Sequence, residues 1–310
     1  MPNLLTVVIP VYDRAEIVGR TLESLAAQTA PAFDVVLVDN GSSDGTLKVL
    51  EHWGIRNSTD ARPVRVLLEP KPGACNARNL GLRAVNTPRV LFFDSDDVML
   101  PEHIARVLAG IEANPEADIL GWNVLYRGVG VKRFHADHCI WNNLFEGNFA
   151  TLRWCARTSL VREAGGWNPD VRLWDDIELG ARMLAKNPSI VHLGDDITVE
   201  VYPQEVSIST NVTGDYLERM EAPLKSITSH LPPEASVWPE YVRAIVAGNT
   251  RRGASPEVAD KALALMRRVS DGAPSAFHKI LLRSVYYFRR LGGRGQNHIL
   301  RLLLGGGKVI

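Results

Sequence analysis

The sequence predicts an open, doubly wound α/β sheet, mostly parallel, followed by a helical C-terminal region. Near-continuous apolar runs of strand length recur in the first part of the chain, as strands buried on both faces require. Helix-period stretches lie between them, joined by short polar junctions, which is the pattern of parallel strands linked by crossover helices. Beyond Gly214 helical spacing takes over.

In chain order, residues 4–9, 33–38, 64–68 and 90–93 are the first four strands. Val18, Leu22 and Leu25 share one helical face, and so do Ile104, Val107, Leu108 and Ile111 after Pro101. Asp13, Asp39 and Asp94 fall at or just beyond the carboxyl ends of three strands, where ligands bind in such sheets. From residue 117 to 203 the pattern loosens. Residues 119–126, 152–155, 190–193 and 197–201 are short strand candidates, with a helix starting near Asp176. No linker-like stretch interrupts them, so residues 1–212 are expected to form one catalytic domain, with halves of about 1–116 and 117–212. Residues 213–310 are then a helical region, in which Val258, Ala262, Leu265 and Val269 recur at helical spacing, as do Phe277, Leu281 and Ser284.

Composition narrows the class. At 310 residues, 45% hydrophobic and formally neutral, the chain can bury a full-sized core and carries no electrostatic footprint for nucleic acid. Cys75, Cys139 and Cys155 have no paired spacing and suit a reduced, cytoplasmic protein. The N-terminus lacks the charged and apolar regions of a signal peptide, and no run has transmembrane length. The expectation is a soluble protein, bound to a membrane surface at most. After Asp271 there is no acidic residue, while Lys279, Arg283, Arg289, Arg290, Arg294, Arg301 and Lys308 follow. With Tyr286, Tyr287, Phe288 and Leu291 interleaved, residues 277–310 fit either a segment resting on anionic lipid or a packing helix with a solvated basic face.

Four stretches could carry chemistry. VDNGSSDGT (residues 38–46) puts Asp39 at a strand end, as a ligand acceptor or as part of an ordinary strand–turn–helix junction capped by Ser43 or Asp44. KPGACNARNLG (71–81) opens a helix at Gly73 with Arg78 inside it, which suits an anion such as a diphosphate, or else a surface ion pair. FFDSDD (92–97) crowds Asp94, Asp96 and Asp97 at the end of an apolar strand. Repelling carboxylates there suit Mg²⁺ or Mn²⁺, against a solvated turn before a helix as the alternative. LWDDIELGARM (173–183) opens a helix with Asp175 and Asp176 beside Trp174, either as simple first-turn acids or with one carboxylate tuned to act as a base.

The order of VVIPVYDR, SLAAQT, VDNGSSDGT, KPGACNARNLG, FFDSDDVMLP, GGW and WDD resembles the family 2 glycosyltransferases of the GT-A fold, over residues 4–209. The resemblance implies a Rossmann-like, mixed sheet and an inverting transferase that uses a nucleotide-sugar donor with Mn²⁺ or Mg²⁺ and a glycan or lipid-linked acceptor. It implies Pro10, Tyr12 and Arg14 near the nucleotide, Asp39 on a uracil-type N–H, and Arg78 near base or diphosphate. Asp94-Ser95-Asp96 is similar to the DxD motif, with Asp96 on the metal and Asp94 on the ribose or a metal water. Asp176 looks like the catalytic base, Asp175 stands where Glu is usual, and Trp167 and Trp174 would wall the acceptor pocket. Family members often carry a basic residue in a motif shaped like YRxHPxSxS after the last core strand. Here VYPQEVSIS places Tyr202 and Gln204 at those positions, with His192 or the basic tail as possible substitutes. A sugar-nucleotide-binding protein without catalysis is the alternative. A nucleotidyltransferase ranks last, because no Gly-rich, Arg-containing loop follows the first strand.

Overall fold

The structure, a computed structural model, describes residues 2–202, 216–231, 237–250 and 256–291. It divides into two compact units, residues 1–137 with 148–205, and residues 138–147 with 206–310. The expected boundary near residue 212 and the 203–209 part of the VYPQEVSIS loop, with Gln204, lie outside the described residues.

The first unit holds β1 (Leu5–Val11), α1 (Val18–Ala26), β2 (Asp34–Asp39), α2 (Thr46–Asn57), β3 (Val64–Leu68), α3 (Ala74–Ala84), β4 (Arg89–Phe92), β5 (Val98–Met99), α4 (His103–Ala113), β6 (Ile119–Gly121), β7 (Val124–Tyr126) and β8 (Gly130–Lys132). After α5 (Ile140–Glu146), which belongs to the second unit, come β9 (Trp154–Arg157), α6 (Thr158–Glu163), α7 (Asp175–Leu184), β10 (Ile190–His192) and β11 (Val199–Val201).

The main sheet runs β10-β6-β9-β4-β1-β2-β3. Every pairing is parallel except those of β9, which is antiparallel to both β4 and β6. β1 to β4 are the strands expected from the apolar runs, and Leu5, Val7, Val35, Leu37, Leu91 and Phe93 are fully buried among them. The chain passes from β1 outward to β3 and then returns to the other side of β1 as β4. The carboxyl ends of β1 and β4 therefore flank a topological switch point, where a crevice forms for a ligand. A smaller sheet, β5-β11-β7-β8, was less legible. The run 119–126 breaks into β6 and β7 in different sheets, and the two-residue β5 follows the aspartate cluster where a solvated turn before a helix was the alternative.

The approach of α3 to β1 depends on a glycine. A Cβ built on Gly81 would stand 2.3 Å from a Val8 methyl. Val8 is β-branched, fully buried and on a central strand, so it has little room to give. Gly81→Ala should cost about 1–3 kcal/mol through overpacking. A thermal melt unchanged from wild type would show that α3 can lift off without cost.

The second unit contains α8 (Tyr216–Arg219), α9 (Glu221–Ser229), α10 (Trp238–Thr250), α11 (Pro256–Asp271) and α12 (Ala276–Arg290). Trp141 of α5 meets Trp238 of α10 edge to face, with ring centroids 5.8 Å apart. The stripe on α11 buries Ala262, Leu265 and Val269 as its spacing predicts. On α12 the buried residues are Leu282, Val285 and Tyr286, so Phe277, Leu281 and Ser284 do not form the packing face. Among the described residues no helix is long and apolar enough to cross a membrane.

Candidate active site

All the sequence-predicted site residues lie in the first unit, and one arginine joins three of them, Asp94, Trp167 and Asp175. Arg78, on α3, is 7% exposed. Its Nη1 donates to Asp175 Oδ2 at 2.7 Å and its Nη2 to Asp94 Oδ1 at 2.9 Å. Its guanidinium lies over the Trp167 ring, 4.4 Å from the centroid. Burial opposes its charge, but Asp175 and Asp94 outweigh burial and raise its pKa further. Three segments distant in sequence thus meet at one fixed cation: α3, the end of β4 and the start of α7.

Local sequence explains the meeting. Cys75, Arg78, Asn79 and Leu82 fall at helical spacing along one face of α3. Asn79 clamps the Gly165-Gly166-Trp167 turn, accepting from the Trp167 N–H at 2.9 Å and donating to its carbonyl at 2.7 Å. Gly166 has φ +67, and a Cβ there would sit 2.7 Å from Asn79 Oδ1, so this turn requires glycine. Trp167 is buried under Arg78 with Phe92 against its edge, so it supports the floor of the site. Within α7, buried Glu178 pairs with Arg182 at 2.6 Å, and Arg182 also reaches the Ala164 carbonyl, fixing that helix to the same turn. Trp174 is half-buried and precedes α7 at φ 59, a left-handed conformation that a bulky residue adopts only when its surroundings dictate it.

The aspartate cluster is balanced one member at a time. Asp94 is held by Arg78, and Asp96 lies 3.8 Å from Arg14. Burial and the charge of Asp94 still raise the pKa of Asp96. Asp97, 3% exposed, is pushed up to about 8 by burial and by Asp94 and Asp96, so near neutrality it carries a proton. Its Oδ1 accepts the Tyr202 N–H at 3.0 Å, its carbonyl takes the Thr21 hydroxyl at 2.8 Å, and Arg20 reaches the Asp96 carbonyl. Arg20 also stacks over Tyr202, 4.0 Å from the ring centroid. The position expected to be basic in the family motif is thus a tyrosine tied to the aspartate loop. Ser95 is buried between its two acidic neighbours.

Asp175 and Asp176 separate in role. Asp175 is engaged by Arg78 and by the Cys75 thiol, 3.3 Å away. Asp176 accepts the Ile177 N–H at 2.7 Å. Burial first, and then the charge of Asp175, push Asp176 up to about 7, which suits a group that takes a proton near neutrality. The sequence reading missed Tyr126. Burial pushes its hydroxyl up to about 12, and its surroundings include Arg153, Asp176, Asp97 and Asp94, so the end of β7 closes the site from the side of the smaller sheet. A tyrosine at the end of a strand was its one sequence signal.

On the nucleotide side, Asp39 is 1% exposed at the end of β2. Its Oδ2 accepts the Gly41 and Ser42 N–H groups at 3.1 and 3.0 Å, while Oδ1 is buried with no partner. A buried carboxylate oxygen left unpaired is costly unless a ligand donor meets it. Asn40 ties this corner to α3, donating to the carbonyls of Glu69 and Lys71 and accepting from the Gly73 N–H at 2.8 Å. Asp13, at φ 46, accepts the Ser43 N–H at 2.7 Å. Asp44 takes the Thr46 and Ala15 N–H groups at 3.0 Å each, holding the β1 and β2 loops together. Pro10 is half-buried near the end of β1, and Tyr12, 58% exposed, presents its ring to solvent. His192 is engaged elsewhere, against Asn123 at 3.2 Å and stacked on Phe134.

Among the described residues no three His, Cys, Asp or Glu side chains form a ready-made metal cage. Asp94 and Asp96 nonetheless fit a divalent cation of the Mg²⁺ or Mn²⁺ kind. They are hard oxygen donors, burial and the charge of Asp94 outweigh Arg14 at Asp96, and such ions take one or two carboxylates and complete the shell with water and phosphate.

The model of the family described as "Glycosyl transferase family 2" matches residues 6–163. A validoxylamine A glucosyltransferase of Streptomyces hygroscopicus subsp. jinggangensis is 36% identical over 110 residues, 34% of this chain and 25% of that protein. The match spans 23% to 38% of the length of the first six curated relatives. Among solved structures, S. aureus TarS residues 1–349 in complex with UDP-GlcNAc superposes with TM-score 0.67 at 20% identity, covering 94% of this chain and 93% of that one. The mannosyltransferase PcManGT from Pyrobaculum calidifontis, in complex with GDP-Man and Mn²⁺, gives TM-score 0.56 at 16% identity, covering 99% and 85%. At these identities the likeness is one of fold, and that fold is the expected mixed, mostly parallel GT-A type sheet.

Proposed function

The chain belongs to glycosyl transferase family 2, and on that premise we propose that it moves a sugar from a nucleoside diphosphate, UDP by preference, to an acceptor hydroxyl with inversion. The observation that carries this reading is the Asp94–Arg78–Asp175 bridge, which sets Asp176 beside the aspartate loop at the switch point of the sheet. The acceptor class is a glycan or lipid-linked hydroxyl of bacterial surface polysaccharide or glycoconjugate synthesis.

The chain's own groups divide the work. The unpartnered Oδ1 of Asp39 accepts an imide N–H of a uracil-type base, and exposed Tyr12 offers its ring as a stacking surface. Arg14 lies where it can approach a diphosphate oxygen as well as Asp96. A divalent cation on Asp96, with Asp94 directly or through water, would stabilise the charge that develops on the leaving diphosphate. Asp176 takes the acceptor hydroxyl proton as the new C–O bond forms at the anomeric carbon and the bond to the phosphate oxygen breaks. Attack and departure on opposite faces give inversion. The GDP-Man and Mn²⁺ complex and the UDP-GlcNAc complex of the two fold neighbours support a nucleotide-sugar donor and a cation.

Calorimetry with UDP, with and without Mn²⁺, beside a hydrolysis screen of UDP-, GDP- and dTDP-sugars tests the proposal. UDP should bind more tightly with Mn²⁺, hydrolysis should need the ion, and Asp96→Ala should abolish both the tightening and the hydrolysis. Tight UDP binding without hydrolysis or transfer to any acceptor would instead identify a sugar-nucleotide-binding protein.

A further inference from the structure

The packing of α12 leaves a second apolar surface on the same helix. Leu282, Val285 and Tyr286 face inward, and contact is close: a Cβ on Gly248 of α10 would stand 2.7 Å from Arg289 Cβ and 2.8 Å from the Tyr286 carbonyl. The Tyr241 hydroxyl meets His278 Nδ1 at 2.8 Å, which fixes the rotation of the helix. Phe277, Ile280, Tyr287, Phe288 and, at the C-cap, Leu291 consequently point out, between 42% and 87% exposed. They are five of the eleven large exposed hydrophobic residues among those described, and they recur at i, i+3, i+10, i+11 and i+14, a single stripe. Ser284 at i+7 lies in the same stripe, and its hydroxyl is satisfied by the Ile280 carbonyl at 3.0 Å. Scattered surface hydrophobics need no explanation, but a continuous stripe does.

Cations border this stripe on one side. Lys279, Arg283 and Arg290 follow one another along the helix between the buried and the apolar faces. Asp271 meets Lys279 at 2.8 Å and Arg283 at 3.7 Å, at the N-terminal end of this border. Residues 292–310, outside the described part, add Arg294, Arg301 and Lys308 and no acid.

We propose that the exposed stripe of α12 docks on an anionic lipid surface. Its apolar side chains enter the interface, and Lys279, Arg283 and Arg290 meet the lipid headgroups. Interfacial helices combine these same two features, an apolar face and a basic flank. Charge decides against the other occupants. A second copy docked through the same stripe would bring two basic borders together, and the basic tail would repel its own border, whereas an anionic leaflet complements it.

The test uses the full chain with vesicles of phosphatidylcholine alone and with about one-third phosphatidylglycerol. Co-sedimentation is expected with the anionic vesicles and not with the neutral ones. Ile280→Ser with Phe288→Ser should weaken binding about tenfold. Arg283→Ala with Arg290→Ala should weaken it about thirtyfold, since each cation near such a leaflet contributes roughly fivefold. All these positions are exposed, so melting temperatures should stay near wild type. Leu291→Cys, labelled with an environment-sensitive fluorophore in a chain whose own cysteines are buried, should shift to the blue on anionic vesicles only. Absence of wild-type binding, or variants that bind as well as wild type, would overturn the proposal. Sedimentation velocity showing a dimer that the Ile280/Phe288 variant dissociates would overturn it too, by assigning the stripe to a second copy.

Discussion

Asp176→Asn should lower transfer by roughly 10²–10⁴-fold, the usual contribution of a positioned general base, while donor affinity stays at the wild-type value. The side chain keeps its shape and can still accept the Ile177 N–H, so the structural disturbance is small. What it loses is the capacity to take a proton. The pH profile separates these effects. Burial and the charge of Asp175 hold Asp176 near 7, far above an ordinary aspartate. Activity needs the ionised form, so kcat/KM should rise about tenfold per pH unit up to about 7 and then level. The Asn variant should lose that limb. Near wild-type transfer by Asp176→Asn, or an acid limb retained in it, would remove Asp176 from the role. Asp175 is the poorer candidate, because Arg78 already occupies its carboxylate at 2.7 Å.

The parallel half of the fold was legible because its strands are buried on both faces. Residues 64–68 are read from the sequence with the bounds of β3, and the other three runs differ by one or two residues at their ends. The smaller sheet was legible in part: β7 and β11 fall within the expected runs 119–126 and 197–201, whereas β5 and β8, of two and three residues, carry too little pattern to separate from loops. The aspartates could be located in sequence, but what neutralises them could not. Like charges at one strand end suggest a cation, yet Arg78 and Arg14 are nearer answers for Asp94 and Asp96, and a proton serves Asp97. Those partners come from α3 and the end of β1, and no local spacing links them to FFDSDD. Tyr126 was legible only as the end of a strand, since only the folded chain brings it among the carboxylates. On α12 the helical period is legible in the sequence and the packing face is not. With apolar residues on two faces, sequence alone does not say which face packs, and the inward one is Leu282, Val285 and Tyr286.

Arg78→Met should be the most damaging single change in the site, and Arg78→Lys should not repair it. Two nitrogens of one planar group reach two carboxylates at 2.7 and 2.9 Å, and the same plane lies over Trp167. A lysine ammonium is a point charge and cannot reproduce that fork. Removing the cation leaves Asp94, Asp175 and Asp176 facing one another in a half-buried site. Breaking a buried pair in this way costs about 3–5 kcal/mol, less here because both carboxylates keep some solvent contact. The loss should depend on pH with a definite sign. Arg78 now lowers the pKa of Asp176, so its removal raises that pKa further above both the present value near 7 and the unfolded one. A carboxylate whose folded pKa is raised contributes stability that is fully present below the unfolded pKa and is lost as pH rises through the folded value. The gap in melting temperature between wild type and Arg78→Met should therefore be smaller at pH 5 than at pH 7, and be largest at pH 8. A gap independent of pH would mean that Arg78 acts through packing on Trp167 alone. Full stability and activity in Arg78→Lys would mean that one carboxylate contact suffices, and the three segments would then need another explanation for their convergence.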